Sequence, residues 1–259
     1  MTAPALLERT VLDQQMVAAR RVELGPWGVL SWLGPLLTLA ATIVAGNLLV
    51  GAYAQRHSDG RGVVGVALTV GGELLLLAAL VAFGHPVAAR AGGWRAGLGL
   101  DRIRRSDWLP WITGVGFVFV GRTVVGGLAN ALTGGRAAAQ ASNVHVGGLG
   151  GASIAVLAVV AVVIAPIAEE LMFRGLLLRT FMRRFRFWPA ALLSTALFAG
   201  FHVYEVDTVV GAVTLVCSIA VLGLCNSYLV RISGRLVPAI MVHATNNAIA
   251  LAIAIAVAR

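Results

Sequence analysis

Apolar residues in this chain come in long blocks separated by short polar stretches. Blocks fall at roughly 28–54, 62–84, 108–131, 152–173, 188–203, 208–230 and 237–257. About 20 apolar residues in a helix cross the hydrocarbon core of a bilayer, so the blocks read as about seven spans. The expected fold class is all-α: a multi-spanning transmembrane helical bundle of about seven to eight helices, with residues 27–259 forming one polytopic membrane domain. Small residues recur through the blocks and let neighbouring helices approach closely. Gly134-Gly135 and Gly147-Gly148-Leu149-Gly150-Gly151 bracket the longest flexible connector. Ahead of the first block, Leu6, Leu7, Val11, Leu12 and Met16 repeat at helical spacing among Glu8, Arg9, Asp13, Gln14 and Arg20. Residues 1–26 therefore read as a cytoplasmic, interfacial amphipathic segment, with the first block as an uncleaved anchor.

Composition strengthens the membrane reading. The chain is 59% hydrophobic and 12% charged with a mean hydropathy of +0.88, which excludes an ordinary soluble domain. Its formal charge of +9 rests on arginine alone, since no lysine occurs. These arginines lie between the blocks instead of forming one patch, so nucleic acid is not the expected partner. Arg9, Arg20 and Arg21 precede the first block, and Arg90, Arg95, Arg102, Arg104 and Arg105 follow the second. Arg179, Arg183, Arg184 and Arg186 follow the fourth, and Arg231 and Arg235 the sixth, whereas the alternate connectors hold only Arg56, Arg61 and Arg136. That bias predicts a multi-pass cell-membrane protein with its N-terminus in the cytoplasm. Seven spans would leave the C-terminus outside. Cys217 and Cys225 share one block at no metal spacing and read as small buried hydrophobes.

Polar residues inside such blocks carry the functional information, because charge at membrane depth is costly and seldom persists without a use. The fourth block ends in Ile164-Ala165-Pro166-Ile167-Ala168-Glu169-Glu170-Leu171-Met172-Phe173-Arg174-Gly175. Glu170 and Arg174 are spaced i,i+4 and can pair on one face, while Glu169 is rotated about 100° from Glu170 and is left to face something else. Pro166 removes a backbone donor just upstream and predicts a kink. The fifth block ends in Phe198-Ala199-Gly200-Phe201-His202, and His243-Ala244-Thr245-Asn246-Asn247 lies near the start of the seventh. His243 and Asn247 share a face there. Glu73 and Arg122 are lone charges in the second and third blocks; they pair with each other or face a cavity, and neither is given a role.

This set is chemically sufficient for peptide-bond hydrolysis. A glutamate can take a proton from water, a histidine can orient that water or protonate the leaving amine, and an amide with a second imidazole can donate to the oxyanion. The same atoms also suit one divalent metal such as zinc, with Glu169, His202 and His243 as candidate ligands. Spacing alone does not choose between the two. Simple topology puts Glu169 and His243 near one side and His202 near the other. They meet if the fourth helix continues past Arg174 toward Arg183, and Leu176, Leu177, Leu178 and Phe181 keep its apolar character going.

In this order, Glu169-Glu170-x-x-x-Arg174, Phe198-x-x-x-His202 and His243-x-x-x-Asn247 resemble the CPBP family of intramembrane proteases, which takes in type II CAAX prenyl endopeptidases and bacteriocin-processing or self-immunity proteins. The resemblance runs from about Pro166 to Asn247, inside a protease-like core at about 152–257. It implies Glu169 as general base, His202 beside the attacking water, His243 and Asn247 as oxyanion donors, and Glu170 and Arg174 as supports. The implied activity is intramembrane endoproteolysis of a membrane-embedded or lipid-anchored peptide or protein, prenylated or not. The family is named for metalloproteases, yet a glutamate acting without a direct metal is also argued for it. No His-Glu-x-x-His, Gly-x-Ser-Gly or Gly-x-Gly-Asp signature competes. The alternative is a non-proteolytic membrane protein, a bacteriocin self-immunity factor or small-molecule transporter that binds through the same cluster. A transporter would show interrupted helices in two inverted halves, whereas this cluster is confined to the C-terminal half.

Overall fold

The computed structural model describes Val11 and residues 27–56, 61–135, 146–203 and 208–258. All regular elements among the described residues are helical. The chain forms α1 (Trp27–Arg56), α2 (Arg61–Arg90), the short α3 (Gly93–Leu98) and a 3-10 turn (Arg105–Asp107) that runs into α4 (Trp108–Thr133). There follow α5 (Gly151–Met182), α6 (Phe187–Gly200), α7 (Val209–Ser233) and α8 (Val237–Val257). The amphipathic segment expected over 1–26 lies outside the described residues apart from Val11.

Six of these helices are long and apolar enough to cross a membrane. Their outward faces are themselves apolar: Leu48, Leu109, Phe117, Leu132 and Val209 are all more than half exposed. A surface of this kind is stable in lipid, where the backbone's hydrogen bonds are already closed within each helix. The chain is a multi-spanning helical bundle. One expectation needs correction. The fifth block forms the 14-residue α6, about 21 Å long at 1.5 Å per residue, which falls short of a hydrocarbon core of about 30 Å. It is a partial span.

That shortness, with the length of α5, removes the mismatch in depth. α5 does continue past Arg174, as expected, and runs 32 residues to Met182. Glu169 thus stands about 20 Å from the end of α5, and His202, two residues past the last turn of α6, stands at about the same distance from the start of α6.

The arginine-bearing connectors gather at one end of the bundle. Leu236 N–H donates to the Gly99 carbonyl at 2.9 Å, and Arg179 donates to the Gly234 carbonyl at 3.2 Å. Gly99 has φ +72°, and a Cβ there would stand 2.6 Å from the Gly234 oxygen, so the approach of the two turns requires glycine. Asp107, 2% exposed, accepts from Arg104 N–H at 2.7 Å and pairs with Arg235, which also donates to the Arg102 carbonyl at 2.6 Å. This latch ties the entry to α4 onto the α7–α8 turn. Asp101 sits at its rim, and the Arg102 N–H, followed by the Arg104 guanidinium, holds its carboxyl below the ordinary carboxylate range.

Replacing Asp107 by Ala leaves Arg235 short of its buried partner and is expected to cost about 3 kcal/mol, read as a fall in the unfolding midpoint in detergent. The contribution of Asp101 is complete above the ordinary carboxylate value and fades as pH falls through its depressed folded value. Thermal stability should therefore drop on acidification below about 4, and less so in Asp101→Asn.

Candidate active site

The site begins with a defect in α5. Two turns of that rod, Val160–Ile164 and Leu171–Leu177, are widened to π-helical geometry. Pro166 explains the first: its ring clashes with the carbonyl four residues back and it has no N–H to give. Ala165 N–H bonds the Val160 carbonyl, so neither Ala165 nor Pro166 serves the Ala161 carbonyl. Asn247 from α8 does so, donating Nδ2–H at 2.9 Å. At the second widened turn, Ser194 of α6 donates to the Phe173 carbonyl at 2.8 Å. Each widened turn therefore receives a side chain from a neighbouring helix.

Between the two lies a fully buried hub. Glu170 Oε1 accepts from Arg174 Nη1 at 3.1 Å, Asn226 Nδ2 at 2.8 Å and His243 Nδ1 at 2.9 Å. Glu170, Arg174 and Asn226 are all 0% exposed. The second arm of the guanidinium donates to the Gly223 carbonyl of α7 at 3.1 Å, and its carbon lies 4.4 Å from the centroid of the Phe198 ring. A Cβ on Gly223 would come within 2.7 Å of Thr195 Cγ2 and 3.1 Å of Arg174 Nη2. Glycine is what lets α7 offer its backbone to the arginine.

His243 is 2% exposed and turned by this hub. A ring nitrogen facing a carboxylate must carry a proton, so Nδ1–H is directed to Glu170. The other nitrogen, Nε2, then stands 3.7 Å from Glu169 Oε2, beyond direct hydrogen-bond length. The two adjacent glutamates thus meet opposite edges of one imidazole. Their exposures differ: the Glu169 side chain keeps 16% against 0% for Glu170.

The Phe198 ring gathers what remains. Its centroid lies 5.1 Å from the His202 ring and 5.7 Å from the His243 ring, edge-on to both. His202 Nδ1 bonds the Phe198 carbonyl at 2.8 Å, which directs the proton to Nδ1 and leaves Nε2 as an acceptor. Asn247, one turn beyond His243, gives one amide hydrogen to α5, and its oxygen accepts from Asn246 at 3.3 Å.

The lone charges do not pair with each other. Arg122 donates to Asn246 Oδ1 at 2.5 Å, and Glu73 lies close enough to His202 for its charge to act on the imidazole. Cys225 is buried, with Sγ 3.8 Å from the Gly114 carbonyl, but Cys217 is exposed, contrary to expectation. Eight residues at 100° each place it about 80° around α7 from Cys225, on the outward side.

Asn226, Gly223 and Asn246 were missed from the sequence. Asn226 and Asn246 were visible there as carboxamides in apolar blocks; Gly223 has no signal before the helices are packed. Among the described residues, no three His, Cys, Asp or Glu side chains gather closely enough to hold a metal ion. Glu169, His202 and His243 do not fit one in this arrangement, because the first coordination distances of zinc, about 2 Å, need donors that converge on one point.

Residues 151–249 match the family model described as Type II CAAX prenyl endopeptidase Rce1-like, and all three motifs fall inside the match. This segment is similar to that family of CAAX prenyl endopeptidases. No curated protein and no solved structure matches the chain. The matched segment holds α5 to α7 and α8 as far as Ile249, and α1, α2 and α4 pack around it from outside the match.

Arg174→Ala is expected to cost about 3–5 kcal/mol and to lower folded yield, because it strands a buried carboxylate. Arg174→Lys should rescue little, since a point charge cannot fork between Glu170 and Gly223. Melting in detergent checks both: a wild-type midpoint for either variant would mean that the hub contributes nothing to the fold.

Proposed function

We propose that this protein is an intramembrane endopeptidase that hydrolyses a peptide bond in a membrane-tethered, prenylated peptide or protein. The observation that carries the reading is the single imidazole of His243, anchored at Nδ1 by buried Glu170 and facing the more open Glu169 at 3.7 Å through Nε2. That arrangement lies within the segment that matches the CAAX prenyl endopeptidase family model, which supports the reading.

In this reading Glu169 is the general base. It takes a proton from water as the water oxygen attacks the scissile carbonyl carbon, and His202 orients that water through Nε2. His243, held through Nδ1 by Glu170, donates Nε2–H to the developing oxyanion. Asn247 adds the amide hydrogen not used on Ala161. The tetrahedral centre then collapses, the C–N bond breaks, and Glu169 returns its proton to the leaving amine. Glu170 and Arg174 touch no reacting atom; they hold His243 in orientation. No step runs through a metal.

Glu169→Gln keeps the shape and cannot take the proton, so turnover should fall by at least ~10²-fold while peptide binding survives. His243→Ala and Asn247→Ala should each cost a comparable factor, and each double variant with Glu169→Gln far less than the product, because the residues act as a unit. The measurement is cleavage of a prenylated peptide by purified protein in nanodiscs, with and without chelator. Full cleavage by Glu169→Gln would remove that residue from the mechanism. Loss of wild-type cleavage on chelation, restored by one divalent ion, would move the chemistry to a metal. If no tethered peptide is ever cut yet still binds, the non-proteolytic reading replaces this one.

A further inference from the structure

Arg122 has no counter-charge among the described residues, and its surroundings say what it lacks. α4 and α8 border a half-open cavity of about 250 Å³ lined by Val115, Val118, Phe119, Arg122, Val242 and Asn246. Arg122 is about 21 Å from the start of α4 and about 16 Å from its end, which puts it near mid-membrane. Among the described residues no carboxylate pairs with it, and its one hydrogen bond goes to the neutral carboxamide of Asn246 at 2.5 Å. A guanidinium has five N–H donors, so most of its capacity is left over. A charge kept in an apolar cavity at this depth marks a ligand pathway, and a guanidinium fork matches a carboxylate.

We propose that Arg122 and Asn246 form a carboxylate-binding subsite beside the Glu169–His243 pair, one that takes a carboxylate of the membrane-tethered peptide next to its scissile bond. Its position favours this. Val242 and His243 are neighbours on α8, about 100° apart, so cavity and candidate site share one helix wall. Asn246 bonds Arg122 on one side and Asn247, at 3.3 Å, on the other. The apolar lining suits an aliphatic side chain, since a cavity of about 150 Å³ already takes a benzene-sized group. Lipid phosphates sit at the membrane surface, about 15 Å from the midplane, and do not reach this depth. The identity of the ligand rests on the endopeptidase reading; the preference for carboxylate does not.

The test measures binding without turnover. The probe is a prenylated tetrapeptide with a free C-terminal carboxylate, compared with its C-terminal amide and with an amide that carries one aspartate. Each is titrated against Glu169→Gln protein in phosphatidylcholine nanodiscs. The carboxylate form should bind at least about 10-fold tighter than the plain amide, as expected for a charge-assisted pair away from water. Arg122→Gln in that background should abolish the preference, and Arg122→Lys should keep part of it. Tight binding of the aspartate-bearing amide would assign the subsite to side-chain carboxylates as well as chain ends. Equal affinity for carboxylate and amide in the parent protein overturns the proposal, and that comparison needs no Arg122 variant to fold. An Arg122→Gln protein whose affinity for the amide falls by the same factor as for the carboxylate, so that the preference persists, also overturns it, by showing a brace between α4 and α8. So does competition by added phosphatidylglycerol that disappears in Arg122→Gln. Absence of cleavage by the wild type defeats the endopeptidase reading alone, whereas a cleaving enzyme with no carboxylate preference defeats this subsite alone.

Discussion

Oxygen Oε1 of Glu170 accepts hydrogen bonds from side chains on α5, α7 and α8, in a place where every participant is shut off from solvent. An ionised carboxylate there is tolerable only because donors surround it, and removing any one of them leaves charge or dipole exposed to a low dielectric. Much of the local sequence follows from this requirement. Arginine at 174 rather than lysine supplies a fork that reaches Glu170 and the Gly223 carbonyl together. Glycine at 223 brings α7 close enough to be reached. Phe198 covers the guanidinium with its ring face at 4.4 Å. The hub therefore fixes three helices and one imidazole at once.

A second constraint comes from the backbone of α5. A helix in lipid must satisfy its own carbonyls, and Pro166 prevents that locally. The rod widens, and the carbonyl it cannot serve becomes an acceptor for Asn247. The chain thus converts a missing hydrogen bond into a docking point that sets the register of α8 against α5. The spacing of the contacts is consistent with this. Arg179 meets Gly234 and Glu170 meets His243, and nine residues separate the two contacts along either strand of the chain. The helices therefore run side by side over that stretch.

How much of this was legible depended on whether the signal was local. The apolar blocks gave helix starts to within one residue, although α2 and α5 run about six and nine residues past their blocks, because an uninterrupted apolar run has one stable form in lipid. The i,i+4 pairing of Glu170 with Arg174 was legible for the same reason, since helix geometry alone sets it. The partial span was not. Residues 188–203 carry the same apolar character as a full crossing, and only the packed structure shows that the helix stops at Gly200. The partners of Arg122 and Glu73 were also hidden. Arg122 bonds Asn246 across the bundle and Glu73 lies within electrostatic range of His202, over sequence separations that no periodicity reports. Cys217 went wrong by rotation: membership of an apolar block says nothing about which face of a fully apolar helix looks inward.

The adjacency of Glu169 and Glu170 gains its meaning from the environment each one meets. Consecutive residues on a helix point about 100° apart, so one glutamate enters the closed hub while the next looks along the edge of the imidazole toward open space. Three donors hold the Glu170 carboxylate in place, which suits it to orienting His243. Glu169, with 16% of its side chain exposed and Oε2 3.7 Å from Nε2, is the less enclosed of the two. Two identical side chains in sequence are thereby separated in chemistry by a single helical step. Exchanging their surroundings, rather than their identity, is what would exchange their roles.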